Sequence, residues 1–150
     1  MEPGLEETLR IHALYARYAR AIDSGDGEAW AACYAEDGEY WSSTFGTCRG
    51  RAALADFCRA HHARWQAQGI QTRHWNNQVL LERTAEGIAG SVYVMLLGVR
   101  AGERPQIFLQ TVYDDRLVET GGIWRLQRRA SHADTTPDPA QLGFERWPER

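Results

Sequence analysis

The spacing of apolar residues changes once along this chain, at Gly69, and that change limits the folds open to it. Ahead of it, Ile11, Leu14, Tyr15, Tyr18, Ala19 and Ile22 recur at helical intervals, and Pro3 suits the opening turn. Leu5 and Leu9 fall to the side of that stripe. The glycines of "DSGDG" end this helix, and Asp26 then caps a short second one carrying Trp30, Cys33 and Tyr34, stopped by "EDG". "EYWSSTFGTCRG" reads as an extended segment or loop. A third helix, Arg51 to Gln68, places Leu54, Phe57, Cys58, His61 and Trp65 on one stripe before Gly69 closes it. Beyond it, "IQTRHWNNQVLLE", "GIAGSVYVMLLGVR", "PQIFLQTVYDDRLVE" and "IWRLQRRAS" read as strands. They are separated by short turn-prone stretches of the kind that join antiparallel neighbours. Helices first and a four-strand meander second predict an α+β fold, with the helices on one face of a curved antiparallel sheet.

Composition narrows the chemistry more than the fold. With 150 residues, 43% hydrophobic, the chain can bury one good core, which predicts a single domain over residues 1–134. The Pro-rich polar stretch from 135 to 150 reads as a tail that Leu142, Phe144 and Trp147 could dock. A net charge of −3 disfavours nucleic acid and anionic membrane surfaces as partners. No apolar run reaches the length of a membrane span, and the N-terminus lacks signal-peptide character, so a cytoplasmic protein is expected. Three cysteines without a CxxC predict reduced, packed thiols. All 17 basic residues are arginine, which removes Schiff-base chemistry, a pyridoxal phosphate anchor and a P-loop lysine. GxGxxG, GxSxG and HExxH are absent, and no His/Cys/carboxylate cluster suggests a metal. The expected chemistry therefore uses no metal and no cofactor.

"RYARAIDSGDGEAWAACYAEDGEY", "CRGRAAL", "TRHWNNQVLL" and "VYDDRLVETGGIWRLQRR", in that order, resemble the SnoaL-like branch of the nuclear transport factor 2-like superfamily from Leu5 to Ala133. The resemblance implies a cone in which three helices close one end of a bent sheet around a deep apolar cavity, and a homodimer paired through the outer sheet face. Its members include ketosteroid isomerase, scytalone dehydratase, bile-acid dehydratase, polyketide cyclases, limonene epoxide hydrolase and the non-catalytic β subunits of ring-hydroxylating dioxygenases, so fold alone does not choose a reaction. Tyr18 stands where ketosteroid isomerase keeps its oxyanion-binding tyrosine, but the place of that enzyme's aspartate falls at Ser42. Asp23 and His74 resemble the aspartate and histidine of the dehydratases, and Tyr40 a further cavity tyrosine. The second histidine of scytalone dehydratase has no counterpart, since Gln110 or Thr111 stands there, and Glu103 is a loose match to the acidic residue of bile-acid dehydratase.

A histidine held by a buried carboxylate can take and return a proton near neutral pH, and tyrosines can donate to an oxygen where charge develops. The expected catalytic set is therefore His74 as acid/base, Asp23 as its partner, and Tyr18 and Tyr40 as donors. Trp41, Trp75, Asn76, Tyr93, Gln110 and His61 are expected to line the pocket of a flat or polycyclic ligand. Read locally, Asp23 could instead bond amides at its own helix end, and His61 could be a core histidine. His62 is expected to be solvated, and "SHAD" is too contiguous to form a triad. These readings converge on a cofactor-free dehydratase- or cyclase-type lyase or isomerase acting on an apolar, oxygenated small molecule. The alternative is a non-catalytic binding protein or a structural partner like a dioxygenase β subunit.

Overall fold

The computed structural model describes residues 1–135, so all but the first residue of the proposed tail, its docking residues included, lies outside the described part. Three helices, α1 (Leu5–Ser24), α2 (Gly27–Ala32) and α3 (Arg51–Ala67), pack on a curved, unclosed sheet of six strands. The strands are β1 (Tyr34–Ser42), β2 (Gly46–Arg49), β3 (Ile70–Arg83), β4 (Ile88–Arg100), β5 (Gln106–Thr120) and β6 (Ile123–Ala133), in the order β2-β1-β6-β5-β4-β3. The expected meander is β3 to β6, antiparallel throughout.

Two strands exceed the expectation. "YAEDGEYWS" and "GTCR" form a hairpin, and β1 joins the meander by pairing parallel with β6. The acidic "EDG" that suggests a turn lies inside β1, where the register with β6 shifts between Tyr34 and Glu39. Such a bulge absorbs turn-like residues without ending the strand. Tyr34 accordingly opens β1 rather than closing α2, whose C-cap is Cys33.

Elsewhere local chemistry and structure agree. Asp26 Oδ1 accepts from the Ala29 amide, 3.0 Å, as an N-cap. Gly25 ends α1 with φ 74°, and a Cβ there would stand 2.5 Å from the His62 ring, so both conformation and space call for glycine. Cys33, Cys48 and Cys58 are free and buried, and burial pushes their thiols up, to about 12 for Cys48 and Cys58.

The inner face of the sheet is filled with rings. Trp30 lies 5.3 Å from Tyr18, 5.2 Å from Tyr34 and 5.6 Å from both Tyr40 and Phe57. Among them sits a wholly buried ion pair: Arg129 of β6 donates to both carboxylate oxygens of Asp115 on β5, at 2.8 and 2.6 Å. Its guanidinium carbon stands 4.2 Å from the ring centre of Tyr18 and 4.1 Å from that of Tyr113, so the cation is solvated by π faces as well as by the carboxylate. Strand alternation sends the adjacent Asp114 outward, where it meets the exposed His132.

Removing one partner of a buried pair strands the other charge, so Asp115→Ala should cost about 3–5 kcal/mol. Asp114→Ala should stay within about 0.5 kcal/mol of wild type, and urea unfolding of the two variants measures the contrast.

Candidate active site

Asp23 closes the last turn of α1, but its carboxylate does not serve that helix. Oδ1 meets His74 Nδ1 at 2.7 Å, Oδ2 accepts from the His74 backbone amide at 3.0 Å, and the Thr72 hydroxyl donates to Oδ1 at 3.4 Å. The local alternative, amide bonding at its own helix end, is therefore not what the geometry shows. Asp23 clamps the helix end to β3, with both side chains about nine-tenths buried. The carboxylate holds the ring proton on Nδ1, which leaves Nε2 as the basic nitrogen.

This pair borders a groove of about 950 Å³ between α1, the later turns of α3 and β3. His74 and Asn76 face it from the inner side of β3, and Trp75 contributes to its lining although 61% exposed. His62 and Gln66 line it from α3, so His62 packs against Gly25 and the groove rather than standing in solvent. Arg20 and Arg73 also line it, and among the described residues Asp23 is its one acidic group.

His61 stands behind His74, ring centres 6.1 Å apart, as a buried wall. Phe57 stacks on it at 5.6 Å, and its Nε2 accepts from the Trp65 indole N–H at 3.2 Å. Burial, aided by repulsion from His74, Arg64 and His62, drives its pKa down to about 3, so His61 is neutral and acts as an acceptor.

The other expected site residues separate from this pair. Among the described residues, Tyr18 and Tyr40 are buried inside the cone and do not line the groove; the rings of Phe57 and His61 stand between Tyr40 and His74. Burial holds the Tyr18 phenol well above its usual range and pushes that of Tyr40 up to about 12. Trp41, Tyr93 and Gln110, expected in the pocket, need correction: strand alternation puts them on the outer sheet face. Trp41 packs on His132 at 5.1 Å, Tyr93 is 60% exposed, and Gln110 is exposed opposite Met95. Glu103 lies in the exposed turn between β4 and β5, paired with Arg100. Among the described residues, no group of three or more His, Cys, Asp or Glu side chains could hold a metal ion, and no helix is long and apolar enough to cross a membrane.

A cone of three helices on a bent sheet, with an Asp–His pair joining the first helix to the first long strand, defines a recognisable class. The chain belongs to the SnoaL-like domain family, whose model matches residues 3–130. No curated protein matches it. Among solved structures it is similar to Rv3472 of Mycobacterium tuberculosis, described as a protein of unknown function, at 34% identity and TM-score 0.75, covering 85% of this chain and 72% of that one. ActVI-ORFA from Streptomyces coelicolor shares 25% identity, with TM-score 0.81 over 89% of this chain and 100% of its own. An NTF2-like protein with a cystatin-like fold from Novosphingobium aromaticivorans shares 26%, with TM-score 0.77 over 94% and 90%.

The buried His61 gives a pH test. Unfolded, it takes a proton near 6.5; folded, it refuses one until about 3. Between those values the unfolded state holds more protons, so stability falls as pH falls, by up to about 1.4 kcal/mol per pH unit from this group. His61→Gln should lose that one-proton component from the pH dependence of urea unfolding, whereas equal slopes in the two proteins would show that His61 is not the group responsible.

Proposed function

We propose that the protein is a cofactor-independent lyase or isomerase, of dehydratase or cyclase type, acting on an apolar, oxygenated small molecule. The observation that carries this reading is the two-point hold of Asp23 on His74 at the edge of a ligand-sized groove. With Nδ1–H given to the carboxylate, Nε2 can accept a proton from a carbon next to a carbonyl and return it to a departing hydroxyl or to a second carbon. Asp23 steadies the ring and compensates the imidazolium formed in between. Membership of the SnoaL-like family supports the class.

The experiment is a screen of β-hydroxy ketones for loss of water, followed by ultraviolet absorbance of the conjugated product. With an active compound, His74→Ala should lower turnover on the order of 10²-fold or more. Asp23→Asn should cost much less in the His74→Ala background than alone, since the two act as one unit. Undiminished turnover in His74→Ala would overturn the assignment.

A second reading draws on the rings that fill the cone. A non-catalytic binding protein, or a structural partner like a dioxygenase β subunit, needs no open interior, and Tyr18, Trp30, Tyr34, Tyr40 and Phe57 occupy it. Activity abolished by His74→Ala excludes that reading.

For assembly we propose a homodimer paired through the outer sheet face, where Trp75, Tyr93, Met95 and Ile107 are all exposed. Light scattering at micromolar concentration should give twice the 17.0 kDa chain mass, and Tyr93→Glu should shift it toward the monomer; a wild-type monomer refutes the pairing.

A further inference from the structure

The chain as a whole is acidic, with a net charge of −3, yet the groove at His74 carries the opposite sign. Arg20 and Arg73 line it together with His12, His62 and His74, and among the described residues its one carboxylate is Asp23. That carboxylate is already committed. Its two oxygens are taken by the ring and the amide of His74 and by the Thr72 hydroxyl, and the side chain is buried. The two arginines are not committed in this way: both are exposed, and among the described residues neither has a carboxylate within ion-pairing distance. The Arg20 side chain makes no hydrogen bond to those residues, and Arg73 makes one, from Nη1 to the Thr72 carbonyl at 2.8 Å. A guanidinium has five N–H donors, so each fork keeps donors for a guest of the groove.

Both cations stand at the same end. Arg20 precedes Asp23 by three residues on α1, which puts the two on one side of the helix, and Arg73 directly precedes His74 on β3. β3 is a terminal strand, and its free edge lets this alternate residue reach the groove. The helix runs antiparallel to the strand: Asp23 meets His74 near the start of β3, whereas Glu7 pairs with Arg83 at its end. Away from the dyad the lining is therefore Ala19 and then Ala16 from α1, facing Val79 of β3, with His12 beyond them. Val79 comes just past a bulge between Asn77 and Leu80, where Gln78 has φ 51°. The alanines leave room between helix and strand, so a cationic end opens onto a stretch of small and apolar side chains.

We propose that the groove takes an organic acid, a flat ring body bearing a carboxylate, with the carboxylate between Arg20 and Arg73 and the ring over Ala16, Ala19 and Val79. The planar guanidinium fork matches the two oxygens of a carboxylate. A dianion such as a phosphate ester fits less well, because its second charge faces Asp23 one turn from Arg20. An amine would meet two cations and no uncommitted carboxylate. This names the substrate class of the His74 reaction and rests on that reading for what becomes of the bound acid; the seat of the acid rests on the charges of the groove.

Calorimetric titration of the intact chain tests it, comparing 2-naphthoate with 2-naphthamide, which has the same shape without the charge, and with 2-naphthyl phosphate. Wild type should bind the naphthoate about tenfold or more tighter than the amide, the scale of a hydrogen bond to a charged group. Arg20→Met and Arg73→Met should each reduce that preference, and the double variant should bind acid and amide alike. Arg17→Met removes an exposed cation of the same helix that does not line the groove, and should leave the preference unchanged. All three positions are exposed, so each variant should keep the wild-type thermal midpoint. A wild type that binds acid and amide alike, a preference that survives in the double variant, an equal loss in Arg17→Met, or tighter binding of the phosphate ester than of the naphthoate would each overturn the proposal. No turnover enters these titrations, so failure of the His74 reaction, seen in the kinetics of His74→Ala, remains a separate result.

Discussion

A guanidinium buried among tyrosines determines where much of this molecule has to be. Arg129 is anchored to Asp115 across the β5–β6 pair, and the face it turns to the helices is covered by Tyr15 and Tyr18 of α1. Those two contacts fix the rotation of the helix about its own axis. Asp23, five residues past Tyr18 and about 7.5 Å further along the helix, is then delivered to β3. The position of the dyad is thus inherited from an ion pair that lies inside the cone and does not line the groove.

The dyad has a structural share of its own. Asp23 accepts a backbone amide of β3 as well as the imidazole, and β3 is a terminal strand of the sheet. One carboxylate therefore fastens the end of α1 to a strand that has a sheet neighbour on one side only. Orientation of the base and attachment of the helix are the same set of contacts, which is why the imidazole can be held firmly at an open margin of the fold.

Much of this was legible in the sequence, and the remainder failed for identifiable reasons. Helical spacing gave α1 and α3, alternation gave β3 to β6, and the motif resemblance singled out Asp23 and His74, which the structure brings to 2.7 Å. The extended reading of "EYWSSTFGTCRG" caught the second half of β1, but its start at Tyr34 was missed because a bulge placed turn-like residues inside the strand. Trp41, Tyr93 and Gln110 were misplaced because an aromatic or amide in a strand suggests a pocket, while the parity of its position decides which face it occupies. Tyr93 pairs with Asn77 and Gln110 with Met95, on the face opposite Asn76 and Val94. Tyr18 and Tyr40 were read as oxygen-binding donors beside His74, but both are buried among rings inside the cone, away from the groove. The buried pairing of Arg129 needed the register of β5 against β6, which no single stretch of sequence contains.

The bulge in β3 also divides that strand into two phases. Up to Asn76 the even-numbered residues look inward; from Val79 the odd-numbered ones do, with Leu80 left 73% exposed. The phase change is the work of one extra residue: Gln78 and Val79 together stand opposite Val92, and without Gln78 the pairs Asn77 with Tyr93, Val79 with Val92 and Leu80 with Ser91 would follow one another in plain alternation. The polar half that carries His74 and Asn76 and the apolar half that carries Val79 and Leu81 would then keep the facing they have now. What an extra residue of this kind contributes is a local bend and a stronger twist, so the bulge governs the curvature of the groove wall and leaves its composition alone.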